Sequence, residues 1–167
     1  MPELAITVIG PDRTGIVADV AEALAGVGAN LTDSTMTRLR GHFAMTLICT
    51  GSTPDAAEKA LESLSGVTTT VRAVSPEASA ADGGESWLVS VHGADRLGIV
   101  AAVTRVVAAG GGNITDLSTR LAGTLYVLIA EVDLPAGASD ELAERLAVAA
   151  SELGVEVTLR RAESEIL

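Results

Sequence analysis

Cysteine, histidine, aromatic side chains and positive charge are all scarce in this 167-residue chain, and each scarcity excludes a class of protein. A single cysteine, Cys49, allows no internal disulfide framework and no cysteine-rich zinc site. One Phe, one Trp and one Tyr make no stacking platform for nucleic-acid bases. Eleven Lys+Arg stand against twenty-two Asp+Glu, a formal net charge of −11, and the basic residues are scattered in pairs such as Arg38/Arg40 and Arg160/Arg161. Phosphate backbones would repel such a chain, so no direct nucleic-acid partner is expected.

The two histidines, His42 and His92, form neither a metal set nor a recurring catalytic pair. Long hydrophobic runs are missing too. Leu97–Gly112 is interrupted by Arg105 and Thr124–Val132 is short, so no membrane span is expected. The N-terminal stretch reaches Gly10 and Pro11 after a short apolar run and lacks the basic region of a signal peptide. Together these features describe a soluble, cytoplasmic protein, and the 48% of hydrophobic residues supplies material for a core.

What the chain does contain is a repeat. Gly10-Pro11-Asp12-Arg13-Thr14-Gly15-Ile16-Val17-Ala18 returns 83 residues later as Gly93-Ala94-Asp95-Arg96-Leu97-Gly98-Ile99-Val100-Ala101. Gly28-Ala29-Asn30-Leu31-Thr32-Asp33 returns at the same spacing as Gly111-Gly112-Asn113-Ile114-Thr115-Asp116. Beyond the aspartates, Arg38-Leu39-Arg40-Gly41 matches Arg120-Leu121-Ala122-Gly123 at a spacing one residue shorter, which predicts an extra residue in copy one, as a bulge would need. A first domain is expected over 1–75 and a second over 86–167. The segment 76–85, rich in Ala, Gly, Ser and acidic residues, reads as a linker.

Each copy scans as strand, helix, strand, strand, helix, strand. Leu4–Ile9 and Trp87–His92 read as first strands, and each loop glycine then opens a helix. Ile16, Val20, Leu24 and Val27 share one helical face, as do Ile99, Val103 and Val107, and Gly28 and Gly111 are expected to end these helices. Thr53-Pro54 reads as an N-cap followed by proline at the first helical position. The order βαββαβ, twice, implies an α+β fold: two ferredoxin-like domains, each a four-stranded antiparallel sheet with helices on one face, packed as an intrachain pseudo-dimer. Sheet edges leave a homodimer possible as well.

The repeated residues fall in the first strand-to-helix loop and at the start of the second strand. A helix N-terminus presents unpaired N–H groups that suit a carboxylate, and Gly15 and Gly98 remove the side chain that would block approach. Asp12 or Asp95 can hold an ammonium, or else brace the loop. Arg13 or Arg96 can hold a carboxylate, or pair with a surface acid. Asn30 and Asn113 offer donors and an acceptor to either end of a zwitterion, or else occupy a turn. Asp33 and Asp116 lie in strand-forming sequence and require compensation, such as a hydrogen bond to the neighbouring loop.

These paired motifs resemble the amino-acid-sensing ACT domain, and their tandem arrangement resembles the glycine cleavage system transcriptional repressor family. The resemblance covers nearly all of the chain outside the linker and termini. It implies the βαββαβ fold, regulation without catalysis, and binding of a small amino acid, glycine or serine, at an interface between two domains. It also implies a site lined by Gly15 with Asn30 and by Gly98 with Asn113. The candidate ligand-binding set is therefore Asp12, Arg13, Gly15, Ile16, Asn30, Leu31 and Asp33, with Asp95, Arg96, Gly98, Ile99, Asn113, Ile114 and Asp116 in the second copy. No metal, cofactor or catalytic residue is expected. A protein partner is, either a transcription regulator such as a LysR-type activator or a metabolic enzyme; a ligand-free adaptor is the alternative. The family often carries proline before the loop glycine. Thr14 and Leu97 stand there instead, and only Thr14 has a hydroxyl with which to cap, so the second site is expected to be the weaker.

Overall fold

The computed structural model describes residues 2–75 and 84–162. These fall into two compact units, each with the order β-α-β-β-α-β. In the first, β1 (Glu3–Pro11), β2 (Asn30–Leu39), β3 (His42–Thr50) and β4 (Thr68–Val74) form an antiparallel sheet in the order β2-β3-β1-β4, carrying α1 (Ile16–Ala25) and α2 (Pro54–Leu61). In the second, β5 (Gly84–Ala94), β6 (Asn113–Ala122), β7 (Leu125–Pro135) and β8 (Glu156–Arg161) are ordered β6-β7-β5-β8, with α3 (Ile99–Ala109) and α4 (Ser139–Leu153). This is the expected ferredoxin-like plan, twice.

Alternation in the strands builds each core. Leu4, Ile6 and Val8 of β1 and Phe43, Met45, Leu47 and Cys49 of β3 point inward against Ile16, Val20 and Leu24 of α1 and Ala57 and Leu61 of α2. The second core repeats this with Val89 and Val91, Leu128, Ala130, Val132 and Leu134, Ile99, Val103, Val107, Leu142 and Leu146. Thr53 caps α2 as expected, its hydroxyl accepting from the Ala56 N–H at 3.2 Å. Val27, expected on the inner face of α1, lies beyond the end of the helix and is half-buried.

Three local expectations are corrected. Helices α1 and α3 end at Gly26 and Gly110, not at Gly28 and Gly111. The later glycines instead hold φ of 78° and 79° in the turn that leads into the next strand, a left-handed conformation that favours glycine. Strand β5 begins at Gly84, paired with Pro135, so Gly84 and Glu85 belong to the sheet although their composition reads as linker; residues 76–83 of that segment lie outside the described residues.

The third correction concerns the repeat. Both copies carry the bulge, at Thr32 between Leu31 and Asp33 and at Thr115 between Ile114 and Asp116. From there Asp33↔Ile48 and Leu39↔His42 correspond to Asp116↔Glu131 and Ala122↔Leu125, so the spacing of 83 persists through the hairpin and no residue is extra. The turn residues explain the slip. Arg40-Gly41 has positive φ at both positions (48° and 81°), the type I′ pattern with glycine second, whereas Gly123-Thr124 has it at Gly123 (62°), the type II′ pattern with glycine first. Aligning glycine with glycine shifts the match by one. The structural counterpart of Arg38 is thus Leu121, not Arg120.

Candidate functional site

In each copy the first strand runs into a loop that must turn sharply before its helix. Gly10 and Gly93 allow this by close approach: a Cβ on Gly10 would sit 2.7 Å from the Gly66 carbonyl oxygen, and one on Gly93 would sit 2.9 Å from Val155 Cγ1. Gly15 and Gly98 are the N-caps, at φ 85° and 90°, and neither helix has a side-chain cap hydrogen bond. Thr14 therefore does not cap, and the ground for expecting the second site to be the weaker is removed. The intrahelical bonds begin with Asp19 N–H to Gly15 and Ala102 N–H to Gly98, both 2.9 Å. Around Gly98 the space is open: a Cβ there would meet nothing within 4 Å. Glycine is needed at this position for its dihedral, and its missing side chain leaves the helix terminus uncovered.

The charged loop residues diverge between copies. Arg13 pairs with Asp19 at 2.7 Å, and Asp12 pairs with Arg38 at 3.6 Å while its N–H donates to the Gly41 carbonyl at 2.9 Å. The first loop is thus tied to its own helix and hairpin. In the second copy the positions of Asp19 and Arg38 are Ala102 and Leu121, so neither pair can form. Arg96 instead donates to the Leu153 carbonyl at 2.8 Å, satisfying an orphan acceptor at the C-terminus of α4. Among the described residues Asp95 has no ion-pair partner.

Two cavities open on this end of the second unit. One, about 940 Å³, is lined by Gly98, Ala101, Ala102, Thr104, Arg105, Ala108, Gly112, Asn113 and Ile114. It brings the loop glycine and the strand-start asparagine to one groove, along a face of α3 that contributes three alanines. The other, about 400 Å³, is lined by Asp95, Arg96, Leu97, Gly98, Ile99, Val100, Ala101 and Tyr126. Leu97, which stands in place of proline, is fully exposed at its edge.

The remaining candidates separate. Ile16 and Ile99 are core residues, and Leu31 and Ile114 pack half-buried against the cores. Asn30 and Asn113 are exposed, opposite Thr50 and Asp133. Asp33 and Asp116 are exposed just past the bulge, and among the described residues no loop hydrogen bond to either carboxylate is formed. Solvent on an edge strand is their compensation, and it is Thr32 and Thr115 that bond across, to the Ile48 and Glu131 carbonyls at 3.3 and 3.4 Å. His92 lies 2.7 Å from Glu156 on β8 and away from the loop. Burial pushes the Cys49 thiol up, which disfavours the reactive thiolate. Among the described residues no cluster of His, Cys, Asp or Glu is placed to hold a metal ion, and no helix is long and apolar enough to cross a membrane.

Sequence reasoning missed Ala102, Thr104, Arg105, Ala108 and Tyr126 as cavity residues. For Arg105 a signal existed: it is the one charge in the eleven apolar and small residues of α3, and its counterpart at the same spacing is Glu22.

The profile of the ACT domain matches this chain over residues 3–72 and 85–160. A UPF0237 protein of Methanocaldococcus jannaschii is 39% identical over 75 residues, 44% of this chain and 83% of that protein. Among solved structures, an unknown protein from Galdieria sulphuraria is similar over 97% of this chain and 99% of its own, with 32% identity and a TM-score of 0.84. A candidate glycine cleavage system transcriptional repressor shares the fold over 98% of both chains, with 20% identity and a TM-score of 0.68.

Proposed function

The chain belongs to the ACT domain family, carrying two copies of the domain, and from that premise we propose that it is a non-catalytic regulatory protein that senses a small amino acid, glycine or serine, and changes its grip on a protein partner, a transcription regulator of amino-acid metabolism. The observation that supports ligand sensing most directly is the groove of the second copy, where Gly98 and Asn113, far apart in sequence, line one cavity of about 940 Å³. The groove offers polar groups of the kind that hold a zwitterion's two charged ends, backbone N–H groups at an uncapped helix start and the Asn113 amide. The similarity in fold to a candidate glycine cleavage repressor supports the regulatory role, and the net charge of −11 favours a route through a protein partner over direct DNA contact.

A thermal-shift screen against the twenty amino acids tests this reading. A ligand present at 100 times its Kd stabilises the fold by about 2.7 kcal/mol, or about 5–10 °C for a chain of this size. A shift confined to glycine, serine or both is the expected result. A flat screen contradicts sensing and leaves an adaptor.

A further inference from the structure

The two copies differ most in charge at the place where they would hold a ligand. On the groove face of α3, Gly98, Ala101, Ala102 and Arg105 follow one another at helical spacing. The matching positions of α1 are Gly15, Ala18, Asp19 and Glu22. The groove wall of α3 therefore carries a guanidinium, whereas the matching positions of α1 carry two carboxylates, of which Asp19 is paired with Arg13. Among the described residues no carboxylate lies within ion-pair distance of Arg105. Arg105 is, among the described residues, the one cationic side chain lining this cavity, and its guanidinium is available to an anion placed there.

Resting on the reading of the groove as an amino-acid site, we propose that the second copy alone binds the ligand and that Arg105 determines this, by taking the ligand's carboxylate. The planar guanidinium offers two parallel N–H donors to the two oxygens of a carboxylate, a charge-assisted pair stronger than a neutral hydrogen bond. Asn113, at the start of β6 and lining the same groove, remains for the ammonium or its neighbouring atoms. In copy one Glu22 repels the carboxylate from the corresponding place, so the repeat keeps the fold and the loop but not the acceptor. Stoichiometry is then one ligand per chain, and selectivity is for the free carboxylate over its neutral amide.

Isothermal titration of the full chain with glycine and serine, and with glycinamide and serinamide, tests this. The parent is expected to take up one amino acid per chain. Arg105→Gln weakens that binding about tenfold or more, the amides bind the parent about as weakly, and Glu22→Gln binds as the parent does. Arg105 is exposed, so the unliganded variant is expected to unfold within about 2 °C of the parent, which separates lost binding from lost fold. Arg105→Gln binding as tightly as the parent, or two equal sites per chain, overturns the role of Arg105 while leaving amino-acid sensing in place. A parent that binds neither amino acid overturns the sensing reading and this one with it.

Discussion

The two repeats share every strand pairing and most turn positions, yet they solve the same local problems with different residues. In the first copy the loop is held by ion pairs, Arg13 with Asp19 and Asp12 with Arg38. In the second a single bond from Arg96 to the end of α4 takes their place, and the loop faces two cavities. The cores differ in the same compensated way. Ala29 and Gly51 in copy one become Gly112 and Leu134 in copy two, where a methyl on Gly112 would sit 2.7 Å from Val107 Cγ1 and 3.0 Å from Leu134 Cδ2. Volume removed at one position is restored at its neighbour. A duplicated fold can thus keep its architecture while one copy keeps the ions to itself and the other presents a guanidinium to solvent.

The largest effect expected from breaking this comparison is at Phe43 and its counterpart Tyr126. Phe43 is fully buried in the first core, so Phe43→Ala costs about 3–5 kcal/mol, read as a lowered urea midpoint by circular dichroism. Tyr126 is half-buried beside a cavity, and Tyr126→Ala costs less than half as much. Equal losses would show that the second copy packs its ring as tightly as the first. Next comes the compensated pair. Gly112→Ala overpacks and costs about 1–3 kcal/mol, whereas Ala29→Gly costs about 1 kcal/mol or less; in a Leu134→Ala background the Gly112 change is milder, because the two positions compete for one space. Trp87, half-buried in the second unit, reports that transition by fluorescence.

Smaller still are the loop anchors. Arg96→Ala loses a charge-assisted bond to a helix end and costs about 1 kcal/mol, while Arg13→Ala breaks an exposed ion pair and costs about 0.2–1 kcal/mol, further reduced by salt. The reverse order would mean that the first loop is held more firmly than its geometry indicates. Smallest is Cys49, which is expected to resist iodoacetamide in the native state and to react once urea unfolds the chain. Because burial raises this thiol above its ordinary value, the folded state holds the proton more tightly. Its contribution to stability is full below the unfolded thiol's range and is lost as pH rises through the folded one.

Much of this architecture was legible in the sequence because it rests on periodicity. Helical spacing placed Ile16, Val20 and Leu24 inward, and the Thr53-Pro54 pair marked the start of α2. What misled was turn chemistry. The hairpin glycine moved from the second turn position to the first, so Gly41 and Gly123 look equivalent in sequence while the strands around them keep the spacing of 83. The site was half legible for a different reason. Gly98 and Asn113 stood out because they repeat, but Arg105 matters because it does not, and a search for repetition passes over the position where the copies part. The partners of Asp12 and Arg96 depend on tertiary placement: Arg38 lies on β2 and Leu153 at the end of a later helix, whereas Arg13 pairs locally with Asp19.

Ligand sensing in the groove of the second copy is tested most directly by mapping backbone amide chemical shifts during titration with glycine and, separately, serine. Saturable shifts are expected at Gly98, Ala101, Arg105 and Asn113, with Gly15, Asp19, Glu22 and Asn30 unmoved. Shifts of equal size and affinity at Gly15 and Asn30, or no saturable shift in either copy, would contradict it.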